Sequence, residues 1–398
     1  MNKKLLIAII IIIVTLIFVA IAVYIISNRN STSETNTNTD GTSGELTLAE
    51  EGDVIPRNIS DNNTTSQVIE ETEKSYDFGK VTEKAAKGAW TSDGKTFYYY
   101  DEAENQFYKA NADGTNPKEI SNAVYLPVSD IQWSTDGKMA AFSLKDKDGN
   151  YREIILNLET GAEQVFVEEV KNVTFSPDGS KIAYQYYDPD NNVTNISVAD
   201  PDGTNWKVIK EVGIQNPSIN WYQSDYIGYW NKGTGSQGNS IYSVNLDGSF
   251  NVVTSEGYGT DAKWSPDGSR LVYSRTGKRS STLYLFTSKS NGENEVDLKT
   301  PTLASKCAFA SDNKTVYCAV PDFISQNAIM PDDYFSGKVL TRDSFIKIDS
   351  ESGSKTQIAH YTAFEQPKDA TNLNVSPDQK TLYFTARNDG KAYSLPLE

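Results

Sequence analysis

The chain has two cysteines, Cys307 and Cys318, one on either side of a single turn. If Phe309 and Val316 face a core together, the same register sets the two thiols opposite each other on one face of a strand pair. Outside the cytoplasm such a pair can oxidise to a disulfide; otherwise the two serve as reduced core thiols. A two-residue hairpin would make them a hydrogen-bonded pair, whose wider Cα separation suits a disulfide poorly. Neither state implies catalysis.

Other reactive constellations are sparse. His360 is the only histidine, so a His-based triad would have to use it and a multi-His zinc site is impossible. It reads as a surface or strand residue. No G-x-S-x-G nucleophile elbow is present. Gly233-Thr234-Gly235-Ser236-Gln237-Gly238 matches G-x-G-x-x-G but lacks the strand-to-helix setting that would put a phosphate on a helix N-terminus. Asp146-Lys147-Asp148-Gly149-Asn150, with Glu153 nearby, and Asp188-Pro189-Asp190-Asn191-Asn192 faintly resemble calcium loops. Both lack the full ligand spacing and fall where hairpin turns belong. No cofactor is expected, with Ca²⁺ as the one candidate.

A third feature is a stretch between Val320 and Ser344 that carries Phe323, Ile324, Met330, Tyr334 and Phe335. Aromatics and Met are enriched where proteins meet. Long loops on a rigid scaffold commonly carry function. This loop is therefore a candidate partner site, against the plain alternative that it folds back over its own apolar surface.

What positions these residues is a repeat. An aromatic, a Ser-x-Asp-Gly turn and a short apolar strand recur at Trp90 with Asp93, Trp133 with Asp136, Phe175 with Asp178, and Trp264 with Asp267. Worn copies stand at Trp221, at Phe309 with Asp312, and at Val375 with Asp378. The copies are about 42–46 residues apart, the length of one four-stranded propeller blade, and the last step is longer by about 20. The chemistry suits a turn. Pro sets φ for its first corner, Asp or Ser bonds back to local backbone, and Gly or Asn tolerates positive φ. The aromatic is predicted to pack one blade on the next. Second turns such as Ala112-Asp113-Gly114, Pro201-Asp202-Gly203 and Leu246-Asp247-Gly248 would join the third and fourth strands.

The W/F-S-P-D-G phrase at this period resembles the repeats of TolB-type (WD40-like) β-propellers, over roughly residues 67–398. The expected fold is all-β with seven blades, the alternative being six with one worn copy outside the ring. The last copy supplies three strands, so a segment before Trp90, within Gln67–Phe78, is expected to provide the fourth and close the ring. The resemblance implies protein–protein contact in cell-envelope complexes. An envelope receptor for a glycan, peptide or cation at the channel is the second expectation. A propeller lyase or hydrolase is the third, with no catalytic residue to nominate.

The amino terminus speaks to compartment. Leu5 to Ile26 is an unbroken apolar stretch, long enough at ~1.5 Å per residue to cross a ~30 Å hydrocarbon core. Lys3 and Lys4 precede it, and beyond the lone Arg29 no cation appears until Arg57. The charge bias predicts a single-pass signal anchor, residues 1–27, with its amino terminus cytoplasmic and the propeller extracellular or periplasmic. A cleaved signal peptide at Ala20-Ile21-Ala22 is the rival. Residues 28–65, rich in Asn, Ser, Thr and acids, read as a disordered stalk, and residues 66–398 as the propeller. The formal charge of −16 argues against nucleic acid as a partner.

Overall fold

The computed structural model describes residues 78–121, 123–125, 128–145 and 149–397. The expected anchor, the expected stalk and Asp146–Asp148 lie outside them. Among the described residues no helix is long and apolar enough to cross a membrane.

The aromatic-turn phrases each open one antiparallel sheet, and seven sheets form. Blade one runs Ala86–Trp90, Thr96–Asp101, Gln106–Asn111 and Lys118–Glu119. Blade five begins at Gly257–Trp264, and blade six at Cys307–Phe309 followed by Thr315–Pro321, Asp343–Asp349 and Lys355–Ala359. In blades one to four and six, strand order follows chain order, so each strand pairs antiparallel with its neighbour in sequence. Blade five gains a fifth strand, Gly238–Asn239, lent by the loop of blade four.

The ring closes as a mixed blade. Ala370–Val375, Thr381–Ala386 and Ala392–Pro396 come from the carboxyl end, and Gly79–Lys80 from the amino end pairs with Ser394 and Tyr393. The closing strand thus starts just beyond the expected Gln67–Phe78 window. Phe78 is instead the wedge, stacking on Phe364 at 4.1 Å and packing edge-on to Phe384. Asn372 Nδ2 donates to Gly88 O at 2.8 Å across the same seam. This closure leaves blade seven no unpaired outer edge next to its third strand.

The repeat phrase works as a device. Ser134 Oγ donates to Asp136 at 2.6 Å, and the backbone N–H groups of Lys138 and Met139 donate back to Asp136 and Ser134. The same pattern holds at Ser176 with Asp178, Ser265 with Asp267 and Ser376 with Asp378. The left-handed corner is Gly94, Gly137, Gly179 or Gly268, and in the worn copies Asn313 and Gln379. Glycine has a second reason at the seam: a Cβ on Gly94 would come 2.5 Å from Pro377 of blade seven. The turns therefore touch one another round the ring. The aromatics pack across blades, as with Trp90 on Tyr383 and Trp264 on Tyr222, with ring centroids 4.5 and 4.9 Å apart. Stacked rings of this kind add to their own area burial.

Candidate functional site

On the face opposite the repeat turns, second and third strands are joined by loops of unequal length. Those of blades one, three and seven are tight, whereas blade six spends residues 322–342 between its strands. The long loop is locked to its neighbours. Met330 N–H donates to Ser280 O of blade five at 2.9 Å, and Arg279 N–H donates to Gly235 O of blade four at 2.6 Å. Gly235 N–H in turn donates to Asp332 of the blade-six loop at 3.1 Å. Three consecutive blades thus share one shelf.

The glycine-rich run Gly233–Gly238 belongs to this shelf. A Cβ on Gly233 would sit 2.2 Å from Thr260 N, and one on Gly235 would sit 2.7 Å from Met330 O. Its glycines permit close backbone approach, the physical use of glycine that a phosphate loop shares.

The five apolar loop residues divide. Met330 and Tyr334 are each 1% exposed and pack with Leu283 and Leu303, with Ile324 partly buried beside them. They are therefore unavailable to a partner, because they form the loop's own anchor. Phe323 is 66% exposed and Phe335 43%. A single helical turn, Asp332–Phe335, sends Tyr334 inward and Phe335 outward.

Beneath Tyr334 lies an ionic cluster that the repeat pattern does not contain. Lys306 is fully buried, and its Nζ reaches Asp343 at 2.8 Å and Asp369 at 2.7 Å. It also donates to Tyr334 OH and Thr341 Oγ1, both at 3.2 Å. Arg387 completes the charge balance, reaching Asp369 at 3.3 Å and donating to Tyr334 O at 2.7 Å. Its guanidinium lies over the Tyr334 ring, 4.0 Å from the centroid. Burial alone would discharge the Lys306 amine, but Asp343, then Tyr334 and Asp369, outweigh it and raise its pKa above the usual lysine range. Burial pushes the Asp343 carboxyl up as well, against the pull of Lys306. The lysine's shift is the one that the contacts support, since Lys306, Thr341 and the Ala370 N–H all donate to Asp343. Burial pushes the Tyr334 hydroxyl up to about 12. The cluster ties blades six and seven to the shelf with its charges matched, and breaking it from one side would strand a buried charge.

The second candidate is the channel. First strands, with side chains from second and third strands, line a cavity of about 590 Å³ whose walls include Asn172, Asn216, Asn220, Asn372, Trp230 and Glu153. Asp261 and Lys263 also face it. Asp261 accepts the Ser305 N–H at 2.7 Å, and Lys263 Nζ donates to Cys307 O and Leu373 O at 3.1 and 3.2 Å. Burial raises the Asp261 pKa and lowers that of Lys263 to about 8, in each case against the partner's charge or hydrogen bonds. The amides bridge blades too: Asn172 Nδ2 donates to Asn216 Oδ1 at 2.7 Å.

The remaining nominated residues sit apart from both candidates. Cys307 and Cys318 are joined by a disulfide in the core between blades five and six. Their Cα atoms are 4.1 Å apart, closer than the two-residue hairpin implied. The turn is longer than that, closing where Ala310 N–H donates to Thr315 O. This shifts the hydrogen-bonding parity by one residue and puts the cysteines in a narrow pair. Asp188 accepts the N–H groups of Asp190 and Asn191, as an Asx turn does. Among the described residues no group of His, Cys, Asp and Glu stands ready to hold a metal ion. His360 is exposed and bonds Thr362 at 2.7 Å. Sequence reasoning missed Lys306, Asp343, Asp369, Asp261 and Lys263. The only signal was charge in otherwise apolar strand surroundings.

Seven sheets in a closed ring around a channel define a seven-bladed β-propeller. Two known structures with TM-scores above 0.5 agree on that fold. The chain is similar to oligogalacturonate lyase from Vibrio parahaemolyticus at 14% identity and a TM-score of 0.55, covering 81% of this chain and 92% of that one. It is similar to the propeller domain of the Trilobed protease from Pyrococcus furiosus at 14% identity and a TM-score of 0.53, covering 79% and 97%. TolB from Acinetobacter baumannii aligns at 13% identity and a TM-score of 0.42, covering 79% of each chain. No known family profile matches the chain. No curated protein matches it either.

Proposed function

We propose that this chain is a non-catalytic protein-interaction scaffold of the cell envelope, anchored through residues 5–26 with its propeller outside the cytoplasm, and that its partner binds at the blade-six loop. The observation that carries this reading is the division of that loop. Met330 and Tyr334 are buried in its anchor while Phe323 and Phe335 stand exposed on a backbone locked to two neighbouring blades. Exposed aromatics on a rigid support bind with little loss of conformational entropy. The anchor and the outward topology rest on the apolar run Leu5–Ile26 and the lysines before it.

The test is cross-linked capture from native membranes, with the full chain beside its Phe323→Ala/Phe335→Ala variant. Loss of a specific captured protein in the variant supports the reading, and equal capture removes the loop as the site. A second reading makes the channel a receptor for a glycan, peptide or cation. It rests on the amide-lined cavity with its Asp261 and Lys263 pair. Protection of Lys263 from amine-directed acetylation by a soluble ligand would favour it, with the loop variant indifferent.

A further inference from the structure

The shelf has a sign of charge opposite to that of the chain. Lys232, Lys278 and Arg279 are exposed on it, and none has an ion-pair partner among the described residues. Its carboxylates are mostly engaged. Asp322 pairs with Arg342 at 2.6 Å, Asp333 pairs with Lys338 at 3.0 Å, and Asp332 accepts the Gly235 N–H. Asp343 and Asp369 are buried against Lys306. Among the described residues Glu256 is an exposed acid beside it, with its carboxylate against Gly238. Arg275, partly buried, donates to Ser255 O at 2.7 Å and adds positive charge behind the exposed three.

Cations and rings are interleaved here. Lys232 Nζ lies 5.7 Å from the Phe335 centroid, and Lys278 Nζ lies 5.9 Å from that of Tyr258. The hydrogen bond from Arg279 to Gly235, and the pairing of Gly238 with Tyr258, keep these groups on one framework. On a protein of formal charge −16, a fixed cluster of unneutralised cations creates a local field that most of the surface would oppose.

Resting on the proposal that the blade-six loop is the partner site, we propose that the segment docking there is an acidic polypeptide. Its carboxylates meet Lys232, Lys278 and Arg279, and its apolar side chains cover Phe335 and Phe323. An acidic peptide supplies both components, whereas a polyanionic glycan offers charge without apolar side chains for phenyl rings. Repulsion by the remaining surface then steers the partner onto the shelf and away from other faces.

The experiment is fluorescence anisotropy with the full chain in detergent. The probe is a labelled twelve-residue peptide of alternating Glu and Leu. A Lys–Leu peptide and tetragalacturonic acid serve as comparators. Expected is saturable binding of the Glu–Leu probe alone, weakened about tenfold by Lys278→Glu/Arg279→Glu and by a rise from 50 to 300 mM salt. Phe323→Ala/Phe335→Ala should weaken it about threefold or more. Each variant's thermal midpoint is checked, and these solvent-facing positions should leave it unchanged. Binding unaffected by the charge reversal, equal binding of the Lys–Leu peptide, or tighter binding of the oligosaccharide would each overturn the inference. So would binding that appears only after the acids between Glu34 and Glu73 are neutralised, since the shelf would then hold the chain's own segment. The two proposals fail separately. Membrane capture that needs Phe323 and Phe335 but tolerates the charge reversal leaves the loop as the site and sinks the acidic partner; capture that tolerates the Phe substitutions sinks the loop itself.

Discussion

On one face of the ring, five of the seven blades present the same small machine: a hydroxyl donating to an aspartate two residues on, and a left-handed corner. On the other face, blades four to six carry a shelf assembled from contacts that occur once each, such as Gly235 with Asp332 and Met330 with Ser280. The first face is stabilised locally, by residues two to five apart in the chain. The second is stabilised by residues that meet only after the ring has closed. Lys306 lies 63 positions from Asp369. A repeat makes a ring, and a departure from the repeat makes one sector of that ring unlike the rest.

The contrast predicts where damage propagates. Lys306→Met leaves Asp343 and Asp369 with one cation fewer, and a buried pair broken from one side typically costs about 3–5 kcal/mol. Urea unfolding should show a loss of that order, and limited proteolysis should cut within residues 322–342 before the propeller unfolds. A loss under about 1 kcal/mol, with the loop still resistant, would mean that the cluster is incidental and the backbone contacts alone hold the shelf.

The disulfide lies between the two regimes, since it staples first to second strand within one blade but faces its neighbour's core. Its closed loop is short, with a separation of 11 residues. Loop entropy at that length gives about 2–3 kcal/mol. Dithiothreitol should therefore lower the urea midpoint of the native chain and leave that of Cys307→Ala/Cys318→Ala unmoved. An equal shift in both would place the redox-sensitive step elsewhere.

Glycines sharpen the comparison further. Gly268, at φ +69°, would place a Cβ 2.0 Å from Tyr222 O in the ring of turns. Gly337, at φ +79° on the shelf, would meet nothing within 4 Å. Both alanine variants carry the left-handed penalty of about 1 kcal/mol, but only Gly268→Ala adds a backbone clash, for a total of about 2–3 kcal/mol. Thermal melts that rank Gly337→Ala as the worse variant would contradict the close backbone contact at Gly268, since the shelf's own close approaches lie at Gly233 and Gly235 and not at Gly337.

The same asymmetry explains what could be read in the chain beforehand. Trp90, Trp133, Phe175 and Trp264 recur with their Asp-Gly turns, and recurrence is visible in a linear string. Blade number and the mixed closing blade follow from counting such phrases and finding three strands after the last. The loop of blade six was visible as an excess of length, though not its division into buried Met330 and exposed Phe335, because that depends on which way one helical turn faces. Lys306 and Asp369 were invisible: a lysine beside an apolar strand looks like a strand end until its partners arrive from another blade. The cysteine register was legible from pairing arithmetic, but its parity depended on two extra turn residues.

The last expected effect concerns the channel, where Lys263 lines the cavity wall. Its pKa is lowered by burial to about 8, while that of Lys306 is raised by its carboxylates. The two lysines should tilt stability in opposite directions. Between pH 8 and about 10.4, the ordinary lysine value, the folded chain has released the Lys263 proton and the unfolded chain still holds it. Unfolding then takes up a proton, so raising the pH through that window stabilises the fold. Above about 10.4 the unfolded chain releases its Lys306 proton while the folded chain retains it, and raising the pH destabilises the fold. Urea stability of the native chain, measured against Lys263→Met from pH 7.5 to 10, should improve relative to the variant as pH rises. A ¹³C-methyl signal from reductively methylated Lys263 should titrate near pH 8. A flat difference between native and variant, with the methyl signal titrating near 10, would mean that water reaches Lys263 freely, and the channel wall would then be as open as the shelf's outer surface.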